Sequence, residues 1–495
     1  MDGRLFAAVL PAVFAALANL SATEAPEIGP GAAGLERSVV RIVNHTQRAD
    51  WSTPWDASKV VEVSGSGFVI EGGLVMTNAH VVSDSRLLLI HVEGTPAAQQ
   101  AEVVHVGHDC DLALIRPLDA AALDDAPPLP FGALPPLGSS VDTLGYPTGG
   151  VRVSSTRGVV SRIEEQVYVH SGIDQHIAVQ TDAAINPGSS GGPVLRDGHV
   201  VGVAFQNNLS LENVGYFIPT EVIARFLKDV SDGSYDGYPD LGFDTATLEQ
   251  PAARARAGMR KSETGVRVFR VYRGSSSEGR IRVGDVILAV NGRAVANDGS
   301  VLEDARRIPY GLLIDRMFIE DLARLRVLRD GNRLELEIPL QRHPLSVSRR
   351  KAYGLKPRYF VHGGLVFVPL SRETFSIYGA DWRRGAPRTL LDDFFHRPLV
   401  EPDMQLRERV VLLRRLDDPV NAEMAWYLEQ VVERVNGKEI VDLQALVDAF
   451  ERHEGDYHLI EFAHAGRFSV LDRRKAAAAN AGILQRYGVH EDRNL

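Results

Sequence analysis

The sequence predicts a mainly β fold for most of this 495-residue chain. Between residues 38 and 230, short runs rich in valine and isoleucine alternate with turn residues, and helical periodicity is rare. Glycine and proline separate these runs, as is typical of strands joined by turns. The chain is too long for one hydrophobic core, and its length suggests about three domains. The clearest strand-like runs are 39–43, 67–70, 87–92, 103–106 and 200–205.

The overall composition is that of an ordinary globular protein and narrows the possible functions. Hydrophobic residues make up 44% of the chain and charged residues 24%. The formal net charge of −10 argues against a nucleic-acid partner, because no basic surplus exists to replace phosphate counterions. Cys110 is the only cysteine, so no internal disulfide can form.

An apolar stretch over residues 5–18 predicts a signal peptide spanning residues 1–25, and hence export to the periplasm or cell envelope. The stretch is long enough for the apolar region of a signal peptide, but it is short for a membrane span. Its basic region contains only Arg4, offset by Asp2, and Pro26 follows the candidate cleavage position. An uncleaved anchor therefore stays open as the alternative.

Residues 36–230 are expected to form the first domain. Many short strands over about 190 residues are typical of a β-barrel, a pair of barrels or a sandwich. Near the end of this region, apolar residues on one face predict a helix over 221–230, with Thr220 as its N-cap.

The segment Gly188-Ser189-Ser190-Gly191-Gly192 predicts a tight loop within this domain. Glycine permits positive φ angles and close approach, so the backbone amides of such a loop can converge on one point. Ser190 is then the candidate nucleophile, and the N–H groups of Gly188 and Ser190 are candidate donors to an oxyanion. Taken alone, the segment is equally compatible with an ordinary turn.

A candidate base and its orienting acid occur earlier in the chain. His80 directly follows one apolar strand, and Asp111 directly precedes another. Serine is too weak an acid to attack unaided, so an imidazole must take its proton and a buried carboxylate must orient the imidazole. The order His80, Asp111, Ser190 is the chymotrypsin-type order of the catalytic triad.

Each triad member also has a simpler interpretation as a structural histidine, a turn aspartate or a turn serine. Asp109 is the nearest competitor for the acid, and Asp111 is preferred because it abuts the segment expected to be buried. A metal cluster in the segment His105-x-x-His108-x-Cys110-Asp111 is disfavoured, because the spacing lacks a second cysteine pair and the segment falls on a predicted strand and turn.

With these motifs in place, the chain resembles the Deg/HtrA family of serine proteases. The resemblance implies a chymotrypsin-like double β-barrel protease domain followed by PDZ domains. It also makes His80 the base, Asp111 the orienting acid and Ser190 the nucleophile, with Gly188, Ser189 and Ser190 forming the oxyanion hole. Ser189 departs from the Asn or Asp usual at its position, and we expect little loss because that position contributes mainly backbone. The matching segments are Gly65-Ser66-Gly67-Phe68, Thr77-Asn78-Ala79-His80-Val81, Asp111-Leu112-Ala113-Leu114, Gly145-Tyr146-Pro147 and 181–193.

The primary specificity pocket is expected to accept a small or medium apolar side chain. In chymotrypsin-like folds the residue six positions before the nucleophile lies at the pocket base, and here that residue is Ala184. No acid is present there to pair with a basic side chain. The predicted pocket consists of Ala184, Ile185, Val203 and Phe205.

A turn-rich break over 231–240 predicts a domain boundary, and the region 240–342 looks like a PDZ domain. Leu241, Gly242 and Phe243 would form the backbone loop that captures a peptide carboxylate while the peptide adds as a strand. A hairpin at Asn291-Gly292 in an unrelated β domain is the simpler interpretation, and the motifs recurring in order weaken it.

A second PDZ-like domain is expected over 355–472. The motif Val290-Asn291-Gly292 recurs as Val435-Asn436-Gly437. The segment 364–367 could serve as the carboxylate-binding loop. The Gly-Asp-x-Ile signature is missing before Val435, so we expect a degenerate groove used for assembly. Residues 473–495 are predicted to be a helical tail. The segments 213–239 and 364–370 and the tail ending at 487–489 together look most similar to the organelle-type Deg proteases of plants and their bacterial relatives.

The resemblance implies an ATP-independent serine endopeptidase that cleaves unfolded or damaged proteins and needs no cofactor or metal. It also implies a homo-oligomer, a trimer or a multiple of one, with C-terminal or exposed apolar peptides binding at the first PDZ domain. The alternative is a chaperone or scaffold in which proteolysis is minor or latent. An inactive relic is disfavoured, because every triad position is filled.

Overall fold

A computed structural model describes residues 32–495 except 96, 149, 208–213, 305, 344, 346–348, 406 and 465. The expected signal peptide, and the anchor that is its alternative, lie outside the described residues. Within the described part of the chain, no helix is both long and apolar enough to cross a membrane. The chain divides into two compact units, one holding most of the chain up to His343 and the other consisting of Arg48–Lys59, Tyr272–Gly274 and Pro344–Leu495.

The first unit begins with a closed six-stranded barrel of antiparallel strands in the order β1-β2-β3-β6-β5-β4. Its interior is filled by small β-branched and aliphatic side chains such as Ile42, Val69 and Ile115. A single helical turn, α1, follows β3. The elements are β1 Val39–Thr46, β2 Val61–Ile70, β3 Leu74–Thr77, α1 Ala79–Val82, β4 Ser85–Val92, β5 Gln99–Gly107 and β6 Leu112–Pro117.

A second closed barrel follows, with the strand order β10-β11-β12-β9-β8-β7. It has a core of its own, and a separate large cluster that includes Phe68, Leu112 and Tyr168 joins residues of both barrels. The predicted mainly β, double-barrel fold is therefore confirmed. The elements are β7 Ser140–Gly145, β8 Ser154–Val167, β9 Gln175–Thr181, β10 Pro193–Arg196, β11 His199–Asn207, β12 Gly215–Pro219 and α2 Thr220–Asp229.

The predicted helix after the second barrel is present, but its start differs from the prediction. Thr220 was expected as the N-cap, whereas it is the first residue of α2 and Pro219 occupies the cap position without a side-chain cap bond. The apolar face of α2 packs Val222, Ile223 and Phe226 into the core between the barrels.

The rest of the first unit is a small sheet with the strand order β13-β14-β15-β19-β20, with β16 paired to β15 and a separate β17–β18 hairpin. Asn291 and Gly292 both have positive φ, which fits the two-residue turn that joins β15 to β16. The elements are β13 Phe243–Ala246, α3 Pro251–Arg256, β14 Val266–Val271, β15 Val286–Val290, β16 Arg293–Ala294, β17 Ser300–Glu303, β18 Arg306–Pro309, α4 Gly311–Asp315, β19 Leu322–Arg329 and β20 Asn332–Pro339.

The second unit is built on a sheet with the order β27-β26-β24-β23-β22-β21-β28, with β25 paired to β24. Asn436 and Gly437 again have positive φ between two paired strands, as Asn291 and Gly292 do in the first unit. Because β28 pairs with β21, the segment 473–495 contributes a strand to this sheet as well as a helix. The elements are β21 Tyr359–His362, β22 Leu365–Pro369, α5 Trp382–Gly385, α6 Arg388–Leu391, α7 Arg397–Val400, β23 Val410–Arg415, β24 Gln430–Val435, β25 Lys438–Glu439, α8 Leu443–Glu451, β26 Tyr457–Phe462, β27 Phe468–Asp472, α9 Arg473–Arg486 and β28 Arg493–Asn494.

Candidate active site

Two paired strands of the first barrel bring the candidate base and acid together. Strand β3 ends at Thr77, which pairs with Ala113 of β6. His80 lies in the single turn α1 just after β3, and Asp111 immediately precedes β6. The strand ladder therefore places two residues that are 31 positions apart in the sequence side by side.

The Asp111 carboxylate binds His80 through both of its oxygens. The backbone N–H of His80 donates to Asp111 Oδ1 at 2.9 Å, and His80 Nδ1 lies 2.8 Å from Asp111 Oδ2. Asn78 Nδ2 donates to the Asp111 carbonyl oxygen at 2.9 Å. These contacts fix the imidazole with Nδ1 toward the acid, which leaves Nε2 to meet a nucleophile.

The pair shifts the pKa of both groups in the directions that a general base requires. Burial disfavours the charged imidazolium, but the charge of Asp111 and the hydrogen bond outweigh it, so the pKa of His80 is raised. Burial disfavours the carboxylate as well, yet the positive charge of His80 and His170 keeps the pKa of Asp111 lowered. Asp111 therefore stays ionised where His80 titrates.

The other aspartate, Asp109, has different partners. The hydroxyl of Tyr235 donates to Asp109 Oδ1, and the backbone N–H of Cys110 donates to the same oxygen at 3.1 Å. The structure therefore places Asp111, and not Asp109, against His80.

Among the described residues, no three His, Cys, Asp or Glu side chains meet in a metal-ligating arrangement. His108 Nδ1 instead lies 2.9 Å from His170 Nε2, and the His170 ring centroid is 6.1 Å from that of His80.

The serine loop connects β9 to β10 in the second barrel, and its shape depends on glycine. Gly188 has a φ of 95°, and a Cβ there would lie 2.5 Å from the Tyr146 carbonyl oxygen and 2.6 Å from the Thr148 nitrogen. Gly191 has a φ of 86°, and a Cβ there would lie 2.1 Å from the Ser66 carbonyl oxygen. Both positions exclude a side chain through φ and through contact with backbone atoms.

The hydrogen bonds of this loop separate its amide groups into two kinds. The N–H of Ser189 donates to the Asn186 carbonyl at 2.9 Å, whereas the N–H groups of Gly188 and Ser190 have no acceptor among the described residues. The Pro187 carbonyl accepts from the N–H of Thr148 at 2.8 Å and from its Oγ1 at 3.0 Å. Because the following peptide bond is trans and planar, the N–H of Gly188 points away from Thr148. The sequence predicts Ser189 in the oxyanion hole, but its N–H already donates to the Asn186 carbonyl.

The hydroxyl of Ser190 donates to the Phe205 carbonyl oxygen at 3.3 Å. Within the described residues, Ser190 makes no hydrogen bond to His80. The nucleophile must therefore rotate about its χ1 bond before it can give its proton to His80 Nε2, as is common in uncomplexed active sites.

The four residues expected to line the specificity pocket do not come together. Ala184 is exposed, and its carbonyl accepts from Thr156 Oγ1 at 2.9 Å. Ile185 packs in the core of the second barrel. Val203 and Phe205 lie on the face of β11 that packs into the core between the barrels, and not on the face toward Ile185. Alternate residues of a strand face opposite ways, so these two residues share one face.

The loop expected to capture a peptide carboxylate lies beside an open sheet edge. Strand β13 is the first strand of its sheet, so one of its edges is unpaired within the described residues. Gly242 has a φ of 75° and donates its N–H to the Asp240 carboxylate, while Leu241 and Phe243 pack into the core. The edge is suitable for an added strand, and the Gly242 amide is occupied by the chain's own carboxylate.

The corresponding strand of the second unit has no such edge. Gly364 precedes β22, which pairs with β21 on one side and with β23 on the other. The segment 364–367 therefore lacks an open edge for strand addition.

Three residues near the site were not singled out as functional by the sequence. Ser66 Oγ donates to the Gly188 carbonyl at 2.7 Å and accepts from the Tyr146 N–H at 2.8 Å, which orients the serine loop. Asn78 holds the Asp111 backbone, and Tyr235 binds Asp109. Ser66 and Asn78 lie in the motifs that carried the family resemblance, whereas no local pattern marks Tyr235.

Comparison with domain families agrees with this architecture. Residues 65–203 match the trypsin-like peptidase domain, and residues 239–340 and 348–494 each match a PDZ domain. Two barrels with a His–Asp pair and a serine on a glycine loop, followed by two PDZ domains, define a serine endopeptidase of the trypsin-like class.

Relatives narrow the class to a family. Protease Do-like 4, mitochondrial, of Arabidopsis thaliana is 34% identical over 416 residues, covering 84% of this chain and 76% of the relative. Protease Do-like 2, chloroplastic, of the same plant is 33% identical over 463 residues, covering 92% of this chain and 74% of the relative. The chain belongs to the Deg/HtrA family of serine proteases.

A solved structure supports the fold. The HtrA-type protease AlgW with tripeptide superposes with a TM-score of 0.51 at 22% identity, covering 63% of this chain and 97% of that one.

Proposed function

We propose that the chain is an ATP-independent endopeptidase of protein quality control, with His80 as general base, Asp111 as orienting acid and Ser190 as nucleophile. The observation that carries this proposal is the double contact of the Asp111 carboxylate with the N–H and Nδ1 of His80. A carboxylate in that position selects the tautomer whose Nε2 can accept a proton.

In the proposed reaction, Ser190 Oγ attacks the scissile carbonyl carbon while its proton moves to His80 Nε2. The N–H groups of Gly188 and Ser190 donate to the resulting oxyanion. His80 then gives the proton to the leaving amine, which leaves an acyl group on Ser190. A water molecule gives a proton to His80 Nε2 as its oxygen attacks the acyl carbon. The bond between Ser190 Oγ and that carbon then breaks, His80 returns the proton to Oγ, and the carboxylic acid product leaves.

Cleavage is proposed to follow small or medium apolar residues. Ala184 contributes an exposed methyl group and no charge, and Ile185 lies against Gly215 on the barrel side of the loop. A basic side chain would find no acidic partner at Ala184.

The first PDZ domain is proposed to bind C-terminal or exposed apolar segments of unfolded or damaged proteins along the open edge of β13. Assembly into a homo-oligomer, a trimer or a multiple of one, is proposed from the family resemblance. Export to the periplasm or cell envelope is proposed from the apolar stretch over residues 5–18. Two relatives carry the words mitochondrial and chloroplastic in their names, so an organelle is the competing location.

A chaperone or scaffold with latent proteolysis is the second candidate. It is favoured by one observation, the hydrogen bond from Ser190 Oγ to the Phe205 carbonyl, which holds the nucleophile away from His80.

Incubation with a reduced, unfolded protein distinguishes the two candidates. We expect the native chain to release fragments without ATP, and Ser190→Ala to release none. The chaperone would be established instead if the native chain released no fragments, with or without an added apolar C-terminal peptide, and if the native chain and Ser190→Ala both suppressed aggregation. Sequencing of the fragment ends tests the proposed apolar preference.

A further inference from the structure

The linker between the protease and the first PDZ domain makes contact with the turn that carries Asp111. Tyr235 lies in this linker, and its ring packs 5.5 Å from the ring of Phe226 in α2. Its hydroxyl donates to Asp109 Oδ1 and lies 3.4 Å from Cys110 Sγ. Burial and the nearby Asp109 charge raise the pKa of Tyr235, so its hydroxyl remains a donor.

The turn is shaped to receive this ring. A Cβ on Gly107 would lie 2.8 Å from Tyr235 Cζ and 2.7 Å from Cys110 Sγ, so only glycine leaves room for both. Asp109 and Cys110 are almost fully buried, at 2% and 0% exposure. The Tyr235 side chain therefore packs against the turn from the linker and helps to bury Asp109 and Cys110.

The Oδ1 atom of Asp109 connects the linker to the 107–111 turn. Asp109 Oδ1 accepts both from the Tyr235 hydroxyl and from the N–H of Cys110, which is the residue before Asp111. Asp111 itself has a φ of 52°, a left-handed conformation that is costly for a non-glycine residue and must be held by its surroundings. From that conformation its carboxylate reaches His80 at 2.8 and 2.9 Å.

We propose that Tyr235 is a positioning residue of the protease, acting through Asp109 and the 107–111 turn to hold Asp111 against His80. This inference rests on the proposed function, and it gives Asp109 a role distinct from that of the catalytic acid. It also makes the geometry of the catalytic pair depend on how the interdomain linker is seated.

Reaction with a fluorophosphonate, measured as a function of pH, tests the inference without a known substrate. Tyr235→Phe retains the ring and removes only the hydroxyl. We expect its labelling rate at neutral pH to fall about tenfold, because small misplacements of a catalytic group have large kinetic costs. The acid limb should also move to lower pH, since a looser Asp111 raises the pKa of His80 less.

A control in the same linker separates this role from general packing. The Tyr238 hydroxyl has no hydrogen-bond partner in the described structure, so Tyr238→Phe should label within about twofold of the native rate. A Tyr235→Phe chain with a lower melting temperature but an unmoved acid limb would reduce Tyr235 to a packing residue and overturn the inference.

A double-mutant cycle tests the route through Asp109. Asp109→Asn keeps the Oδ1 acceptor and should retain most of the rate. Asp109→Ala should lose at least as much as Tyr235→Phe, because it also removes the acceptor of the Cys110 N–H. Adding Tyr235→Phe to Asp109→Ala should cost nothing further, and additive losses contradict the proposed route. A native chain that fails to label contradicts both the proposed function and this inference, whereas equal labelling of native and Tyr235→Phe chains contradicts the inference alone.

Discussion

At the residue scale, two carboxylates that are two positions apart bind different partners. Asp111 accepts from the backbone and the ring of His80, while Asp109 accepts from Tyr235 and from the N–H of Cys110. Both are buried, so the hydrogen bonds that each carboxyl group accepts offset the cost of removing it from water. The different partners explain why one carboxylate can orient a base while the other supports the turn.

Replacing Asp111 with Asn should move the acid limb of activity to lower pH. The Asp111 charge is what raises the pKa of His80 against burial, so its removal leaves burial alone and lowers that pKa. We also expect the maximal rate to fall by at least about 10³-fold, because an amide no longer selects the productive tautomer. A pH–rate profile of fluorophosphonate labelling measures both, and an acid limb that moves upward would contradict the assigned pair.

At the scale of elements, the serine loop depends on glycine where its amides turn inward. The Gly188 carbonyl is held by Ser66 Oγ and the Pro187 carbonyl by Thr148, which fixes the peptide planes on both sides of Gly188. The loop can therefore present the Gly188 N–H without rearrangement.

Gly188→Ala should lower fluorophosphonate labelling by about 100-fold or more, the usual cost of losing one oxyanion donor. The added Cβ meets backbone atoms of Tyr146 and Thr148, so the loop must move. Gly198→Ala is the matched control, because Gly198 also has a positive φ of 78° but open space around its Cβ position. Both variants pay the φ cost, and equal labelling rates for the two would show that the Gly188 amide is not a donor.

The strands, the turn at Asn291-Gly292 and the His–Asp pairing were predictable from the sequence, because each follows from local pattern or from a motif. The specificity pocket was not. Val203 and Phe205 lie on one face of β11 and Ala204 on the other, and the register of the barrel decides which face meets the core. The occupied amide of Gly242 was also hidden, since it depends on where the Asp240 side chain turns.

At the scale of the whole molecule, the protease and the first PDZ domain share one compact unit and are joined by specific polar contacts. His176 Nδ1 of β9 lies 2.9 Å from Asp315 Oδ2 of α4, and Arg225 Nη2 donates to the Met317 carbonyl at 2.9 Å. Arg316 also forms an ion pair with Glu221 of α2. The domain order was readable from the sequence, but these pairs join residues up to 139 positions apart and have no local signal.

Asp315→Asn should destabilise the first unit more at low pH than at high pH. Burial opposes the charge on His176, but Asp315 outweighs it and raises the pKa of His176. A histidine whose pKa is raised in the folded state stabilises the fold fully at pH values below its ordinary pKa, which is near 6.5. This contribution to the free energy of unfolding is lost as the pH rises through the raised pKa. We expect a difference of about 1–2 kcal/mol at pH 5.5 that shrinks toward pH 9.

Chemical denaturation at the two pH values measures this difference. Asp330→Asn, an exposed aspartate with positive φ in the β19–β20 turn, is the control and should show no such pH dependence. An Asp315→Asn effect that grows with rising pH would exclude the His176–Asp315 pair as its cause.

The central proposal is that Ser190 is the nucleophile and that the N–H groups of Gly188 and Ser190 are the donors to its oxyanion. Labelling the full chain with a fluorophosphonate, followed by intact mass and peptide mapping, tests this claim most directly. We predict one adduct per chain, located on Ser190 and absent from Ser190→Ala and His80→Ala. A folded native chain that remains unlabelled, or that carries its adduct on another serine, would contradict the account.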